Sequence, residues 1–272
     1  MPTLRDLYQQ ARALAPSPFE AGELFRHIAN VDPLIGDLDI PASDAQAERL
    51  GSLLQARAAG QPLQYILGEW EFYGLPFKVG PGVLIPRQDT ETLVDVALST
   101  LREGGKETPV VLDLCSGSGC VAVAIKANFP GGQVTALEIS DKAFDYLERN
   151  IALNRVDITA LCGDLRSYEH AGGLDLVVSN PPYIPKREFA GLQDEVNHEP
   201  IIALDGGEDG LSYFRAIARR YKDQLAPEGV LLLEIGAGQQ ESVGQILRSF
   251  GFGGIREYVD LNGIVRVIEA RA

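Results

Sequence analysis

The sequence predicts an α/β fold: a doubly wound, mostly parallel sheet preceded by a small helical domain and closed by a terminal antiparallel hairpin. Apolar residues recur at helical spacing through residues 1–68, whereas short apolar runs and helical patterns alternate beyond Pro109. Such alternation is typical of parallel sheets, because parallel neighbours need a crossover connection. The last two strand-like runs flank Asn262-Gly263, a dipeptide that favours a tight hairpin turn.

Residues 1–68 are predicted to form a helical bundle. Apolar residues follow helical spacing through residues 4–14 and again through residues 21–28. Ser43-Asp44 is typical of a helix N-terminus, and Gly60 is typical of a helix end. Two roles stay open for this domain, recognition of a partner protein and simple packing.

Residues 69–87 are predicted to form a β-hairpin that links the helical domain to an α/β domain at residues 88–272. Aromatic and apolar runs flank Gly74, and Thr90-Glu91 is expected to begin a helix. The strands predicted after Pro109 cover residues 110–114, 133–139, 158–162, 174–179, 229–235, 255–259 and 264–270. The helices between them are predicted at residues 121–128, in the segment that ends at residue 154, at 211–225 and at 239–250.

The composition favours some partners over others. A net charge of −14, without dense runs of Lys and Arg, argues against a long, sequence-independent grip on nucleic-acid phosphates. We therefore expect a protein, peptide or small-molecule substrate, and neither direct nucleic-acid binding nor a membrane, since no apolar run approaches membrane-spanning length. The three cysteines lack metal-like spacing and fit a reduced cytoplasmic compartment. No metal site is predicted, and a monomer is the expected state.

A glycine-rich loop at residues 113–119 joins the first strand of the α/β domain to a helix. Residues 117–122 fit the G-x-G-x-x-A pattern of dinucleotide-binding proteins, and Glu138 stands near the spacing of their ribose-binding acid, so a nicotinamide enzyme is one interpretation. However, Asp113 would repel a pyrophosphate and attract an ammonium group, and Asp164 could bind an adenine amine. S-Adenosylmethionine carries these groups without phosphate and fits the charges better. Helix caps and ordinary turns would explain the same residues.

Residues 180–183, Asn-Pro-Pro-Tyr, follow the apolar run 174–179. In open α/β sheets, ligands bind at the carboxyl ends of the strands. Proline fixes φ and holds the preceding residue extended, so Asn180 and the Pro181 carbonyl form a stiff group of acceptors beside the Tyr183 ring. This group suits a planar N–H₂ group of a substrate. An ordinary strand-ending turn is the alternative, because N-P and P-P dipeptides mark turns.

Motifs spread over nearly the whole chain belong together. They are Tyr65–Gly68 with Phe72, Leu84–Arg87 with Asp89–Glu91, Asp113–Gly119, Asn180–Tyr183, Glu199-Pro200 with Ala203-Leu204, and Leu231–Glu234. Together these segments resemble the HemK/PrmC family of protein-(glutamine-N5) methyltransferases. The N-P-P-Y motif is shared with adenine-N6 methyltransferases of DNA and RNA, whereas the I-P-R-x-D-T-E segment is more specific to this family.

The resemblance implies a Class I S-adenosylmethionine-dependent methyltransferase domain behind the helical domain. It also implies a substrate, the glutamine of the Gly-Gly-Gln motif in class 1 peptide-chain release factors, whose methylation modulates translation termination. The implied cofactor-binding residues are Asp113, Cys115, Ser116, Gly117, Ser118, Gly119, Glu138, Asp164, Leu165 and Asn180. The implied substrate-binding residues are Asn180, Pro181, Pro182 and Tyr183, of which Asn180, Pro181 and Tyr183 are the catalytic ones. The sequence departs from the family at Cys115, where glycine is common, and at Gln88, where proline is common.

For the reaction, we expect the Asn180 side-chain oxygen and the Pro181 carbonyl each to accept one N–H of the glutamine amide, with Tyr183 packed on that amide. No residue stands out as the base that takes the amide proton. Residues 199–200 and 205–210 are expected either to shape the rim of the substrate pocket or to form plain turns. Arg87 with Glu91 is expected either to organise the cofactor pocket or to form a surface pair.

Three other functions stay open. A ribosomal protein could present the glutamine instead of a release factor. An adenine-N6 nucleic-acid methyltransferase would share the N-P-P-Y motif, but the acidic chain supplies no basic target-binding extension. A non-catalytic cofactor-binding module is disfavoured by Asn180 together with the acidic residues of the loop region.

Overall fold

The computed structural model describes residues 2–192 and 195–272, which form two compact units. The first unit contains the described residues up to Glu69 together with residues 195–198, and the second contains residues 70–192 and 199–272. The functional roles assigned above to residues 1–68, 69–87 and 88–272 stay predictions.

The first unit is helical, as the periodicity predicts. Its helices are α1 (Leu4–Leu14), α2 (Pro18–Ala29), α3 (Asp44–Ala58) and the short α4 (Leu63–Leu67). Capping boxes begin two of them, because Thr3 and Ser43 each exchange hydrogen bonds with the residue three positions on. The apolar faces of the first three helices bury Leu7, Leu24 and Leu50. Buried Arg57 pairs with Glu20 and Glu195 within this unit.

The hairpin predicted after the helical segment is present. Strands β1 (Glu69–Phe72) and β2 (Leu75–Lys78) form a two-stranded sheet. Phe72 and Phe77 are fully buried, and their rings meet edge to face with centroids 6.0 Å apart. Both side chains belong to the hydrophobic core of the second unit, so these residues of the hairpin are anchored to the sheet domain by burial of apolar surface.

The second unit alternates helices and strands. Its elements are α5 (Glu91–Gly104), β3 (Val110–Leu114), α6 (Cys120–Asn128), β4 (Gln133–Glu138), α7 (Asp141–Asn154), β5 (Ile158–Cys162), β6 (Leu174–Ser179), α8 (Ser212–Tyr221), β7 (Leu225–Glu234), α9 (Gln240–Ser249), β8 (Gly253–Val259) and β9 (Val265–Arg271).

These strands form one seven-stranded sheet with the order β5-β4-β3-β6-β7-β9-β8. The five strands from β5 to β7 are parallel to their neighbours, and β9 runs antiparallel to both β7 and β8. The predicted doubly wound sheet and its terminal antiparallel hairpin are confirmed. Strand β7 begins at Leu225, four residues earlier than predicted. The register between β6 and β7 shifts between Leu174 and Leu176. The extra residues of β7 at this point include Pro227, which has no N–H to donate to a neighbouring strand.

Alternate residues of each strand enter opposite hydrophobic layers. Val111, Val178 and Val230 pack with helices α5, α6 and α7, whereas Leu114, Val177 and Leu233 pack with α8 and α9. Because the side-chain period of a strand is two, each central strand must be apolar on both faces. This requirement explains the nearly continuous apolar runs in the sequence.

A buried asparagine joins the hairpin to the glycine-rich loop. Asn150 of α7 is fully buried. Its Oδ1 accepts a hydrogen bond from the Lys78 N–H at 2.6 Å, and its Nδ2 donates to the Lys78 and Ser118 carbonyls at 3.1 and 2.9 Å. One side chain thus fixes strand β2 and the loop before α6 relative to helix α7.

Replacing this side chain should destabilise the second unit. We expect Asn150→Ala to lower the free energy of unfolding by about 2 kcal/mol or more, because each buried polar group that loses its partner costs about 1–3 kcal/mol. Urea denaturation followed by circular dichroism measures the change. Asn154→Ala is the matched control on the same helix, since Asn154 bonds to Pro76 at a more exposed position, and we expect a change below about 1 kcal/mol. Equal effects of the two substitutions would contradict this interpretation.

Candidate active site

The carboxyl ends of the central parallel strands meet at one edge of the sheet. Leu114 of β3 is in register with Leu137 of β4 and with Ser179 of β6. Ser179 is in turn in register with Leu233 of β7. The residues that follow these strands therefore leave the sheet side by side, and they border a pocket of about 930 Å³ that is partly open to solvent. Open α/β sheets bind their ligands at this edge.

Most of the predicted site residues line this pocket. Those in its wall are Asp113, Cys115, Ser116, Gly117, Ser118, Glu138, Asp164, Leu165, Asn180 and Pro182. Three predicted site residues are not among the described residues that form the wall, namely Gly119, Pro181 and Tyr183. Other residues complete the wall, namely Gly82–Arg87 with Thr90, Cys120 with Val121, Leu137, Ile139 with Ser140, Ala143, Gly163, Arg166, Pro200 with Ile202-Ala203, and Tyr213.

The glycine-rich loop has left-handed backbone at three alternate positions. Gly117 and Gly119 have φ values of +55° and +80°, and Cys115 has φ +58°. A Cβ at Gly119 would collide with the Leu147 side chain, whereas a Cβ at Gly117 would enter open space. Glycine accepts left-handed backbone without steric cost, but an L side chain there is strained by roughly 1 kcal/mol. Cys115 thus adopts the backbone conformation that a glycine would favour.

Glu138 holds the loop to the end of strand β4. Its Oε2 accepts the Gly117 N–H and its Oε1 accepts the Ser140 N–H, both at 2.8 Å. The carboxyl is buried, and this burial raises the pKa of Glu138 despite the backbone N–H donors, which lower it. Ser116 donates its hydroxyl to the Asp113 carbonyl at 2.9 Å, so that side chain closes the loop rather than capping α6.

Asp113 presents a carboxyl without a full set of partners. It is 1% exposed, and among the described residues its Oδ2 has no hydrogen-bond partner. Burial raises the pKa of Asp113 to about 7, while the Ser116 hydroxyl and the Ala122 N–H oppose that rise. An unsatisfied buried acceptor beside a pocket is suited to a cationic or hydrogen-bond-donating group of a ligand.

Both arginines of the pocket wall are already paired. Arg166 lies 3.7 Å from Asp164 and over the Tyr213 ring, with its guanidinium carbon 4.6 Å from the centroid. Arg87 pairs with Glu199, whose other oxygen accepts the Ile85 N–H at 3.1 Å.

This second pair corrects an expectation from the sequence. Glu91, which we expected beside Arg87, accepts the Tyr73 N–H of the hairpin at 2.9 Å instead. Glu199 is 4% exposed and comes from a distant part of the chain. The Arg87–Glu199 pair therefore holds the segment Gly82–Arg87 against the pocket, and the local sequence contained no signal for that pairing.

Asn180 and Tyr183 lie in different surroundings. The Asn180 Nδ2 donates to the Thr90 hydroxyl at 3.2 Å. The Tyr183 carbonyl accepts from Gln239 at 3.0 Å, and a Cβ at Gly206 would approach the Tyr183 backbone to 2.8 Å. Burial raises the pKa of the Tyr183 phenol. The predicted rim segment at residues 205–210 thus packs directly on the backbone of the N-P-P-Y segment.

Two residues near Asn180 were missed as site residues. The sequence places Thr90 at a helix start within the matched segment Asp89–Glu91 and Glu234 at the end of another matched segment, and it assigns neither residue to the site. Glu234 is 2% exposed, and burial raises its pKa to about 7, against the lowering effects of Thr90, Arg266 and Asn180. A carboxylate at the end of an otherwise apolar strand was the available signal, because such a group is seldom buried without a role.

Family models match both parts of the chain. The PrmC N-terminal domain matches residues 8–68, and the methyltransferase small domain matches residues 87–199. The release factor glutamine methyltransferase of Thermodesulfovibrio yellowstonii is 39% identical over 252 residues, which cover 92% of this chain and 90% of that protein. The protein of the same name from Deinococcus radiodurans is 37% identical, with 98% of each chain covered.

The chain belongs to the release factor glutamine methyltransferase family. The resemblance inferred from the motifs is thereby confirmed, and the protein is a methyltransferase.

Solved structures share the fold with this family member. The catalytic domain of hMettl16 in complex with a MAT2A 3'UTR hairpin has a TM-score of 0.59 at 16% identity, covering 88% of this chain and 84% of that chain. A methyltransferase from Pyrococcus furiosus has a TM-score of 0.54 at 17% identity, covering 85% and 98%. At such identities the likeness concerns the fold alone, and it confirms the predicted Class I methyltransferase architecture.

Within 2–192 and 195–272, none of the helices has the length and apolar character needed to cross a membrane. The same residues contain no cluster of three or more His, Cys, Asp or Glu side chains that could hold a metal ion.

The buried carboxyl of Glu234 makes the stability of this methyltransferase depend on pH. A glutamate in the unfolded chain titrates near pH 4.5, and Glu234 in the folded protein titrates near 7. Because the folded pKa is the higher one, the stabilising contribution is complete below about pH 4.5 and is lost as the pH rises through 7. Glu234→Gln removes this titration.

We therefore expect the free energy of unfolding of Glu234→Gln, relative to the unmodified protein, to increase by about 2–3 kcal/mol between pH 4.5 and 8. Urea denaturation over this pH range measures the difference. Thr159→Ala, which changes a side chain that does not titrate at an exposed position of strand β5, should show a difference that does not change with pH. A pH-independent difference for Glu234→Gln would contradict the raised pKa.

Proposed function

We propose that this protein transfers a methyl group from S-adenosylmethionine to the side-chain nitrogen of the glutamine in the Gly-Gly-Gln motif of class 1 peptide-chain release factors. The observation that carries the proposal is the orientation of Asn180 beside the glycine-rich loop. Its Nδ2 donates to the Thr90 hydroxyl, and Asn180 lines the pocket, so its Oδ1 is the atom that we assign as the acceptor for the substrate. The names of the relatives, release factor glutamine methyltransferases, support the substrate.

The residues of the pocket fit S-adenosylmethionine better than a dinucleotide. The backbone N–H of Gly117 donates to Glu138, and that of Gly119 donates to the Ser116 carbonyl. Because both donors already have partners within the protein, neither is free to bind a phosphate. The unsatisfied carboxyl oxygen of Asp113 suits the ammonium group. Glu138 stands at the end of β4, where it would hold the ribose hydroxyls, and Asp164 with Leu165 would hold the adenine.

The chemistry requires positioning more than activation. S-Adenosylmethionine supplies a methyl group on a positively charged sulfur. An amide nitrogen is a weak nucleophile, so the protein must aim its lone pair at the methyl carbon. The Asn180 Oδ1 would accept one N–H of the glutamine amide, and the Pro181 carbonyl, which lies between the wall residues Asn180 and Pro182, would accept the other. These bonds would orient the amide and stabilise the positive charge that develops on nitrogen. The nitrogen gains a bond to carbon, the sulfur keeps the electron pair of the broken bond, and the amide proton passes to solvent.

Removing the Asn180 acceptor should affect turnover more than cofactor binding. We expect Asn180→Ala to lower kcat by on the order of 10²-fold, as for loss of one preorganised hydrogen-bonding group in other active sites. The Kd for S-adenosylmethionine should change far less. Methylation of a purified release factor and calorimetric titration of the cofactor measure the two quantities. Asn154→Ala is the control for an asparagine outside the pocket. Near-normal turnover of Asn180→Ala would refute this role.

Glu138 should act on cofactor affinity. Hydrogen bonds to a charged acceptor contribute about 1.5–3 kcal/mol, so we expect Glu138→Gln to raise the Kd for S-adenosylmethionine by roughly 10-fold to 100-fold. Glu148→Gln, an exposed position on helix α7, is the matched control and should leave the Kd unchanged. Isothermal titration calorimetry provides both values. An unchanged Kd for Glu138→Gln would show that the ribose is held elsewhere.

The decisive experiment uses S-adenosylmethionine labelled in its methyl group. The protein is incubated with a class 1 release factor whose Gly-Gly-Gln glutamine is either intact or replaced, and in parallel with ribosomal protein and with DNA. Label on the intact factor alone supports the proposal. Label on the replaced factor, or only on ribosomal protein or DNA, overturns it.

A further inference from the structure

The hydroxyl of Thr90 does not cap the helix that follows it. Thr90 immediately precedes helix α5, where a threonine side chain commonly accepts a backbone N–H as an N-cap. Here its backbone is already helical, with φ −67° and ψ −18°, and its side chain makes no cap hydrogen bond. The side chain is 2% exposed, and its Oγ1 accepts the Asn180 Nδ2 instead.

Glu234 lies behind the same pair. It is the last residue of β7, and the register of Ser179 with Leu233 places it next to Asn180 at the sheet edge. Burial raises the pKa of its carboxyl, and both the Thr90 hydroxyl and the Asn180 amide lower it. Its Oε2 is buried and finds no hydrogen-bond partner among the residues that the structure describes. A buried carboxyl left partly unsatisfied commonly indicates a functional constraint.

We propose that Thr90 and Glu234 are positioning residues that hold the Asn180 amide with its Nδ2 toward the protein and its Oδ1 toward the pocket. This inference rests on the proposed function, since it is the glutamine amide that requires an acceptor there. An amide rotated by half a turn would present its own N–H₂ to the substrate N–H₂. Two donors facing each other would leave both groups without a partner.

Thr90, Asn180 and Glu234 form the proposed network, and the number of protons that each group can donate decides which atom of Asn180 faces Thr90. An ionised carboxylate only accepts hydrogen bonds. The Thr90 hydroxyl has one proton, and when it donates this proton to Glu234, only the lone pairs of its Oγ1 face Asn180. Those lone pairs select the Nδ2 of Asn180 and exclude its Oδ1. A protonated Glu234 would donate a hydrogen bond itself, so the hydroxyl could turn and the selection would weaken.

The ionisation of Glu234 responds to groups on every element around it. Arg266 of β9 favours the charged form, whereas burial and Asp89 oppose it. Burial is the main cause of the raised pKa values of Tyr183 and Cys120, and charge on Glu234 raises both further. Arg266 is itself shared, because it pairs with Asp89 at 2.8 Å and with Asp260 at 3.1 Å. Together these opposing effects bring the pKa of Glu234 to about 7, within the range of an activity assay.

The first test separates the hydroxyl from the shape of the side chain. Thr90→Val keeps the shape and loses the hydroxyl, whereas Thr90→Ser keeps the hydroxyl. We expect Thr90→Val to lower kcat on the release factor by roughly 10-fold or more, with the Kd for S-adenosylmethionine within about 2-fold, and Thr90→Ser to stay close to the unmodified enzyme. Ser99→Ala, at an exposed position of the helix α5 that follows Thr90, is the control. Equal activities of Thr90→Val and Thr90→Ser, whether normal or reduced, would overturn the role of the hydroxyl.

The second test uses the charge. A glutamine resembles protonated Glu234 at every pH, so the ratio of kcat between the unmodified enzyme and Glu234→Gln should rise with pH, from near 1 at pH 6 to roughly 10-fold at pH 8.5. Asp113 is present in both proteins, so any effect of its titration on kcat cancels in this ratio. A ratio that does not change with pH would overturn the role of the charge.

A third measurement needs no substrate. The ¹⁵N resonance of the Asn180 side-chain amide, assigned by its loss in Asn180→Ala, should move with pH in the unmodified protein and stay constant in Glu234→Gln. If this signal follows Glu234 but no release factor is methylated, the proposed function fails and the network stands. If the release factor is methylated but the signal ignores Glu234, the network is wrong.

Discussion

Parallel pairing of adjacent strand ends is the constraint on which the site depends. Register between β3, β6 and β7 brings three chain segments out of the sheet at one edge. Since the sheet is packed on both faces, a shift of the register by one residue would exchange the side chains of a whole strand between the two hydrophobic layers. Burial of the core therefore sets the positions of the polar residues. The residues brought together in this way are Cys115, Asn180 and Glu234.

Polar side chains then fix the segments that leave the sheet. Glu138 holds the glycine-rich loop through a backbone N–H, Asn150 ties that loop to the hairpin, and Glu199 holds the segment before α5 through Arg87. Each of these side chains is buried, so its bonds are protected from competition by water. These loops are thereby held in one geometry, which suits a reaction that requires the substrate amide to be oriented toward the methyl group.

The same edge concentrates buried carboxyls at some cost to stability. Asp113 and Glu234 are both desolvated enough for their pKa values to rise to about 7, and each keeps one oxygen without a hydrogen bond among the described residues. A chain selected for stability alone would replace such groups by apolar ones. Their retention is consistent with the usual conflict between a stable core and a working site.

Local sequence patterns determined much of this protein. Helical spacing, strand alternation, capping residues and the Asn262-Gly263 turn predicted the elements and the sheet, because each pattern depends on near neighbours. The glycine-rich loop and the N-P-P-Y segment predicted the edge at which the pocket lies, because ligands bind at strand ends. The partner of Arg87, the cross-link through Asn150 and the hydrogen bond between Thr90 and Asn180 were decided only by tertiary structure. Those contacts join distant segments, and only the packed sheet brings such segments within hydrogen-bonding distance.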